Sequence, residues 1–164
     1  MPHTRRKPPI AAGPHGKPSR TRASGGERGY RLENQIGHLL RRAHQRHVSI
    51  FLRIFGETGP TPTQFAALFR LHQDGVLSQN ELGRLTAMDP ATIKGVVARL
   101  ERRGVVERRP DPADQRRISV SLTAAGRALM PDLVAKAERA TRETLTPLGA
   151  DEAAQLLALL RRIC

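Results

Sequence analysis

The sequence predicts a mainly α-helical fold, a winged helix-turn-helix with flanking helices that form a dimerisation region. Three observations carry this prediction. Two short helical patterns meet at a tight break, Met88-Asp89-Pro90. Two β-branched segments then flank a Pro/Asp-rich turn that ends in Arg116-Arg117. The chain of 164 residues also carries 28 Lys and Arg against 15 Asp and Glu, a formal net charge of +13. The predicted element order is α-α-α-α-β-β-α-α.

The charge favours a polyanionic partner, either nucleic acid or an acidic membrane surface. No apolar run approaches the roughly 20 residues a bilayer-spanning helix needs, which argues against a membrane protein. The basic N-terminus has no apolar segment behind it, so it does not read as a secretory signal. The single cysteine, Cys164, rules out a disulfide within the chain and fits a reducing, cytoplasmic setting. Aromatic residues make up 3% of the chain, too few for platforms that stack single-stranded bases.

Residues 1–28 are rich in Pro, Gly, Ser and Arg and lack apolar periodicity. They are expected to form a disordered basic tail. It serves either as a solvated extension or as an arm on DNA phosphates or a minor groove. Residues 29–60 form the first dimerisation unit. Its helix runs from Tyr30 to about Phe55, with apolar residues such as Leu32, Ile36, Leu39, Leu40, Ile50, Phe51 and Phe55 at spacings of three and four.

Residues 61–122 form the DNA-binding unit. Thr61, Pro62 and Gln64 read as a capping box that opens a second helix, which stops near Asp74-Gly75. Ser78 caps a short helix from Gln79 to about Thr86. Asp89 caps the next, with Pro90 at its first position and Ile93, Val96, Val97 and Leu100 as its apolar stripe. Gly104 ends it. Strands follow at Val105–Arg109 and Ile118–Leu122.

Residues 123–164 form the second dimerisation unit. Thr123 caps a long helix with Leu129, Leu133, Ala137 and Ala140 inward, and Pro131 predicts a bend within it. Gly149 to Glu152 opens a last helix bearing Leu156, Leu157, Leu159 and Leu160. That wide leucine stripe is expected to pack on its own chain and against a partner.

A helix in the major groove must offer small or hydrogen-bonding side chains to base edges. Pro90, Ala91, Thr92, Lys94, Gly95 and Arg99 meet this requirement, after Ser78 and Gln79 at the start of the preceding helix. Arg116 and Arg117 at the wing tip suit a minor groove, with Asp114 placed to pair with a neighbouring Arg. The plain alternative is a polar helix face and a charged turn that only meet water.

The stretch LGRLTAMDPATIKGVVARLERRGVVER, followed by DPADQRR and SVSLTAAG, resembles the winged helix of the multiple antibiotic resistance regulator (MarR) family. Asp114 and Arg116 match the Asp-x-Arg of the wing. Leu122, Thr123 and Gly126 match the Leu-Thr-x-x-Gly that opens the next helix. The likeness covers about residues 30–163. The basic tail departs from the family's usual short N-terminus. LLRRAHQRH and SQNELGRLTAMD are similar to members that govern aromatic-acid catabolism.

The resemblance implies a homodimer on a pseudo-palindromic operator of double-stranded DNA, and repression relieved by a small ligand. It also implies a pocket lined by the first, second and fifth helices. There the sequence offers His38, Arg41, Arg42, His44 and His47 beside Phe51 and Phe55, with Phe65, Phe69 and His72 opposite. Such a set suits an aromatic acid or its coenzyme A thioester, and the plain alternative is packed core rings beside solvated polar groups. His44 and His47 alone make a poor metal site, so no metal and no cofactor is expected.

No G-x-S-x-G, P-loop, H-E-x-x-H or Cys/His pair is present, and the chain does not read as an enzyme. The alternative to a ligand-responsive regulator is a nucleoid-type architectural binder with little sequence preference.

Overall fold

The computed structural model describes residues 30–110 and 118–164. The basic tail and the wing-tip residues Asp114, Arg116 and Arg117 lie outside them. Six helices and three strands follow in the order α1 (Ile36–Phe55), α2 (Pro62–Asp74), β1 (Leu77–Ser78), α3 (Gln79–Leu85), α4 (Pro90–Arg102), β2 (Val106–Pro110), β3 (Ile118–Leu122), α5 (Ala124–Leu145) and α6 (Ala150–Ile163). The fold is the expected winged helix-turn-helix with helices on either side.

Most helix starts follow their caps. The Thr61 side chain accepts from the Gln64 amide at 3.3 Å, and the Gln64 side chain accepts from the Thr61 amide at 3.0 Å. Each hydrogen bond satisfies an amide that the first turn of a helix otherwise leaves open. Helix α1 starts later than Tyr30. Gln35 is extended, with φ −76° and ψ 126°, and a short 3-10 turn at Leu32–Asn34 precedes it.

The sheet has three strands in the order β1-β3-β2, all antiparallel. The pair Leu77-Ser78 forms the unanticipated strand β1, which lies against Val120 and Ser119. Two residues are too few to show an alternating pattern in sequence. Strand β2 begins at Val106 because Val105 serves as a corner. Its amide donates to the Leu100 carbonyl, and its own carbonyl accepts from Thr123.

The core lies where α2, α3, α4, β3 and α5 meet. Leu82, Val96, Val97, Leu100, Val120 and Met130 are fully buried there. Each such side chain contributes about 1.5–3 kcal/mol relative to exposure. Gly126 sits at a close approach in this region. A Cβ on it would lie 2.1 Å from the Val105 carbonyl oxygen. The Leu-Thr-x-x-Gly motif therefore has a packing cause. Thr123 caps α5 through the Gly126 amide, and only a glycine lets that first turn rest on the corner at Val105.

Helix α5 is continuous through Pro131, which lies on an exposed side. Its inward residue is Met130, while Leu129, expected inside, is 45% exposed. Leu133 and Ala140 are buried and Ala137 packs against the core as expected, so only the first position of the stripe differs, Met130 taking the place of Leu129. None of the residues of α6 is buried within this chain.

Candidate nucleic-acid interface and aromatic cluster

Helices α3 and α4 are locked together at close range. A Cβ on Gly83 would stand 3.1 Å from Ile93 Cγ2 and 3.2 Å from the Met88 carbonyl oxygen. The Met88 amide donates back to the Gly83 carbonyl at 2.9 Å. The turn between the helices places Ala87 at φ 52°, the left-handed region that an L side chain rarely adopts. Neither Gly83 nor Ala87 was singled out from sequence, although a glycine on a short helix beside a tight turn is a readable sign of close packing.

Asp89 fixes the start of α4. Its carboxylate accepts from the Ala91 and Thr92 amides at 3.0 and 2.9 Å, and from the Thr92 hydroxyl. These bonds, with the Thr92 hydroxyl foremost, hold its carboxyl below the usual aspartate range. Thr92 is thereby tied to its own cap. The buried stripe of Ile93, Val96, Val97 and Leu100 faces the core, as the sequence suggested.

On the other side, Pro90, Ala91, Thr92, Lys94 and Arg99 are exposed and Gly95 is half-buried. The Arg99 guanidinium lies over Gly95, with Nη1 3.6 Å from where a Cβ would stand. Lys94 and Arg99 have no carboxylate partner among the described residues. Ser78 and Gln79 are half-buried at the start of α3, where the Ser78 hydroxyl accepts from the Glu81 amide.

The wing root adds two more arginines. Arg109 pairs with Glu107 at 2.9 Å, and Ser121 donates to the same carboxylate at 3.2 Å. Arg108 pairs with Glu101 of α4. The pairing pushes the Glu101 carboxyl down and the Arg108 guanidinium up from their ordinary values.

The proposed effector residues divide into two groups. Phe51 and Phe55 are stacked, with centroids 3.9 Å apart at 8°. Phe65 lies 5.9 Å from Phe51 and 5.7 Å from Phe55, and Phe69 lies 5.8 Å from Phe65. His47 joins this cluster, 5.9 Å from Phe51. Phe51 and Phe55 are buried, so these two rings form core as well as a floor for anything beside them.

His38 and Arg41 are apart from the rings and face each other at 3.3 Å, and His44 is exposed. His72 borders a cleft of about 160 Å³ with Leu71, Val76, Leu122 and Arg127. Among the described residues, no three His, Cys, Asp or Glu side chains gather as a metal site.

His47 is the polar member of the ring cluster. Its Nδ1 is 3.0 Å from the Thr144 hydroxyl on α5. That hydroxyl donates its one proton to the Ala140 carbonyl at 2.7 Å, so at His47 it accepts from Nδ1–H. Burial, and then the neighbouring His44, lower the His47 pKa. Both causes favour the neutral ring, in which Nε2 is the acceptor. Around it, Arg46 donates to the Glu143 and Thr144 carbonyls, and Arg53 pairs with the Glu143 carboxylate. Helix α1 thus grips the C-terminal end of α5.

Comparison with known proteins agrees with this geometry. The profile of the MarR family matches residues 61–118. The HTH-type transcriptional repressor NicR of Pseudomonas putida is 40% identical over 134 residues, covering 82% of this chain and 85% of NicR. The crystal structure of a probable transcriptional regulator from Pseudomonas aeruginosa superposes with a TM-score of 0.78 at 50% identity, covering 82% of this chain and all of that one. BpsR of Bordetella bronchiseptica, whose DNA binding is regulated by 6-hydroxynicotinic acid, gives a TM-score of 0.78 at 40% identity, covering 82% of this chain and 96% of BpsR. These likenesses run through the terminal helices as well as the winged core. The chain belongs to the MarR family, and it is a DNA-binding transcriptional regulator, not an enzyme.

Proposed function

We propose that the protein is a homodimeric repressor of a pseudo-palindromic operator, released by a small aromatic acid or its coenzyme A thioester. The observation that carries the DNA reading is the exposed face of α4. It presents Ala91, Thr92, Lys94, Gly95 and Arg99 with two cations that no carboxylate neutralises among the described residues. Pro90 begins that face, Ser78 and Gln79 stand beside it at the start of α3, and Arg116 and Arg117 would add the wing tip. One such face spans only a few base pairs. Specificity then requires two copies about one helical turn apart, roughly 34 Å.

The terminal helices supply the means of pairing. Ile36 of α1 and Leu156, Leu159, Leu160 and Ile163 of α6 border one apolar cleft. Tyr30, Leu32, Leu39 and Leu40 are exposed nearby in sequence. An apolar surface of this kind is what a stable dimer buries. On this reading 29–60 and 123–164 serve dimerisation and 61–122 serves DNA binding.

For the ligand, the reading rests on the cluster of His47, Phe51, Phe65 and Phe69 between α1 and α2, beside the α1–α5 grip. A neutral His47 offers an acceptor there. His38, Arg41 and His44 lie further along α1, where a carboxylate could find a cationic partner. The regulation of BpsR by 6-hydroxynicotinic acid makes a hydroxylated heteroaromatic acid the first compound to try.

The test has two stages. Selection from a random duplex library should enrich a two-fold symmetric site. A thermal-shift screen of aromatic acids, 6-hydroxynicotinic acid and acyl thioesters should then raise the melting point, because a ligand of the native state stabilises it by mass action. The stabilising compound should also release the selected duplex. Failure to enrich any sequence would point instead to architectural binding.

A further inference from the structure

The inner side of the wing hairpin changes character along its length. Val106 faces Leu122 across the strands, and both are buried. Two residues on, Arg108 faces Val120, which is fully buried. A guanidinium thus stands where the alternation calls for an apolar side chain. It is held by Glu101 in the last turn of α4.

Glu101 has a defined place on that helix. Lys94, Ala98 and Glu101 follow one another at i, i+4 and i+7, so they share one edge of α4. The Glu101–Arg108 pair therefore joins this edge of the reading helix to the root of the wing. Both side chains are about one-third exposed. An ion pair so exposed adds little to stability, and its effect must be sought in geometry and charge. The second wing-root cation, Arg109, is likewise held by Glu107. Among the described residues, Lys94 and Arg99 carry no such partner. The carboxylates thus sort the basic residues into a free set on α4 and a held set on β2.

We propose that Glu101 is a specificity-determining positioning residue: through Arg108 it fixes the wing to the recognition helix, so that the two meet DNA as one unit, and it withholds Arg108 from phosphates of any sequence. This rests on the reading of α4 and the wing as the DNA-contacting surface. Without Glu101, Arg108 becomes a mobile cation. Non-specific duplexes gain a phosphate contact, while the selected site loses the alignment of helix and wing.

The experiment compares the full-length protein with Glu101→Gln and with the charge-swapped pair Glu101→Arg, Arg108→Glu. Each is titrated with the duplex that the unaltered protein enriches and with a scrambled duplex, over a salt series. A melting curve checks that each variant is folded. For Glu101→Gln, binding to the scrambled duplex tightens, and its salt slope steepens by about one per subunit. The ratio of specific to non-specific affinity falls by about tenfold. The swapped pair, which re-forms the bridge with opposite polarity, recovers most of that ratio.

Equal changes on both duplexes would overturn the proposal by showing that Glu101 only repels phosphate. So would no change on either, or a folded swap that stays as unselective as Glu101→Gln. If the unaltered protein enriches no duplex, the DNA reading beneath the proposal fails first, and visibly so.

Discussion

The reading unit and the terminal helices contrast in how they satisfy themselves. Between Thr61 and Leu122 the described residues cap their helices and bury their apolar stripes within one chain. Thr61, Ser78 and Asp89 cap their helices, and Leu82, Ile93, Leu100 and Val120 are buried without any second chain. The termini do the opposite. Helix α6 has no buried residue and only Ala153 and Leu160 half-covered, and the first half of α1 leaves Ile36, Leu39 and Leu40 exposed. The same apolar residue types therefore lie in two settings, an inward one that holds the winged core and an outward one that the proposed dimer would cover.

The strongest way to break this contrast is to make one substitution in both regions. Leu100→Ala removes a fully buried side chain and should cost about 3 kcal/mol in urea unfolding. Leu159→Ala, at a site 47% exposed, should leave the core intact and instead raise the dimer dissociation constant in sedimentation equilibrium. If Leu159→Ala unfolds the winged core as Leu100→Ala does, the two regions are not separable.

A second test lies at their border. Gly126→Ala forces a methyl group against the backbone oxygen of Val105, which has no flexible side chain to move. A loss of about 2 kcal/mol is expected, since overpacking displaces the first turn of α5 from the sheet. Unchanged stability would mean that the corner at Val105 is loose. Ala87→Gly probes the turn inside the reading unit. Relief of the positive φ outweighs the added freedom of glycine in the unfolded chain, and a gain of about 0.5 kcal/mol is expected by the same urea method.

What the sequence disclosed follows the same division. Caps and stripes in 61–122 were legible because each arises from local chemistry: an acceptor side chain before the first turn, or apolar residues at a helical spacing. The element order and the α4 face could be read for that reason. Strand β1 was not, because two residues show no period. The inward face of α5 was misplaced at Leu129, because Leu129 and Met130 are equally apolar and only tertiary contact chooses between them.

The candidate site divides similarly. The exposure of Lys94 and Arg99 follows from the buried stripe of α4. The gathering of Phe51, Phe65, Phe69 and His47 depends on how α1 meets α2, and the Glu101–Arg108 pair on how the hairpin folds back. Neither relation is written in spacing along the chain.

The smallest expected effect belongs to the junction between the two regions. His47 has a folded-state pKa below its ordinary 6.5, first because it is partly buried and second because His44 is near. Arg46 on its own helix donates to the Glu143 and Thr144 carbonyls, and the Glu143 carboxylate is engaged by Arg53. A histidine held neutral in the folded state binds its proton more readily when unfolded. Its contribution is therefore complete above pH 6.5 and declines as the pH falls through that value. Asp89 and Glu101 also have lowered values, but their ordinary range begins at 4.5 and below, so they weaken the fold only in stronger acid. Urea midpoints at about pH 7.5 and about pH 5.5 isolate the histidine range. The midpoint should drop between the two in the unaltered protein and drop less in His47→Gln, whose amide can still donate to Thr144. The ring cluster joins α1 to α2 and the His47 hydrogen bond joins α1 to the end of α5, so a measurable histidine dependence would mark this joint as one that helps to hold the fold. An identical pH response in both proteins would show that His47 does not carry it.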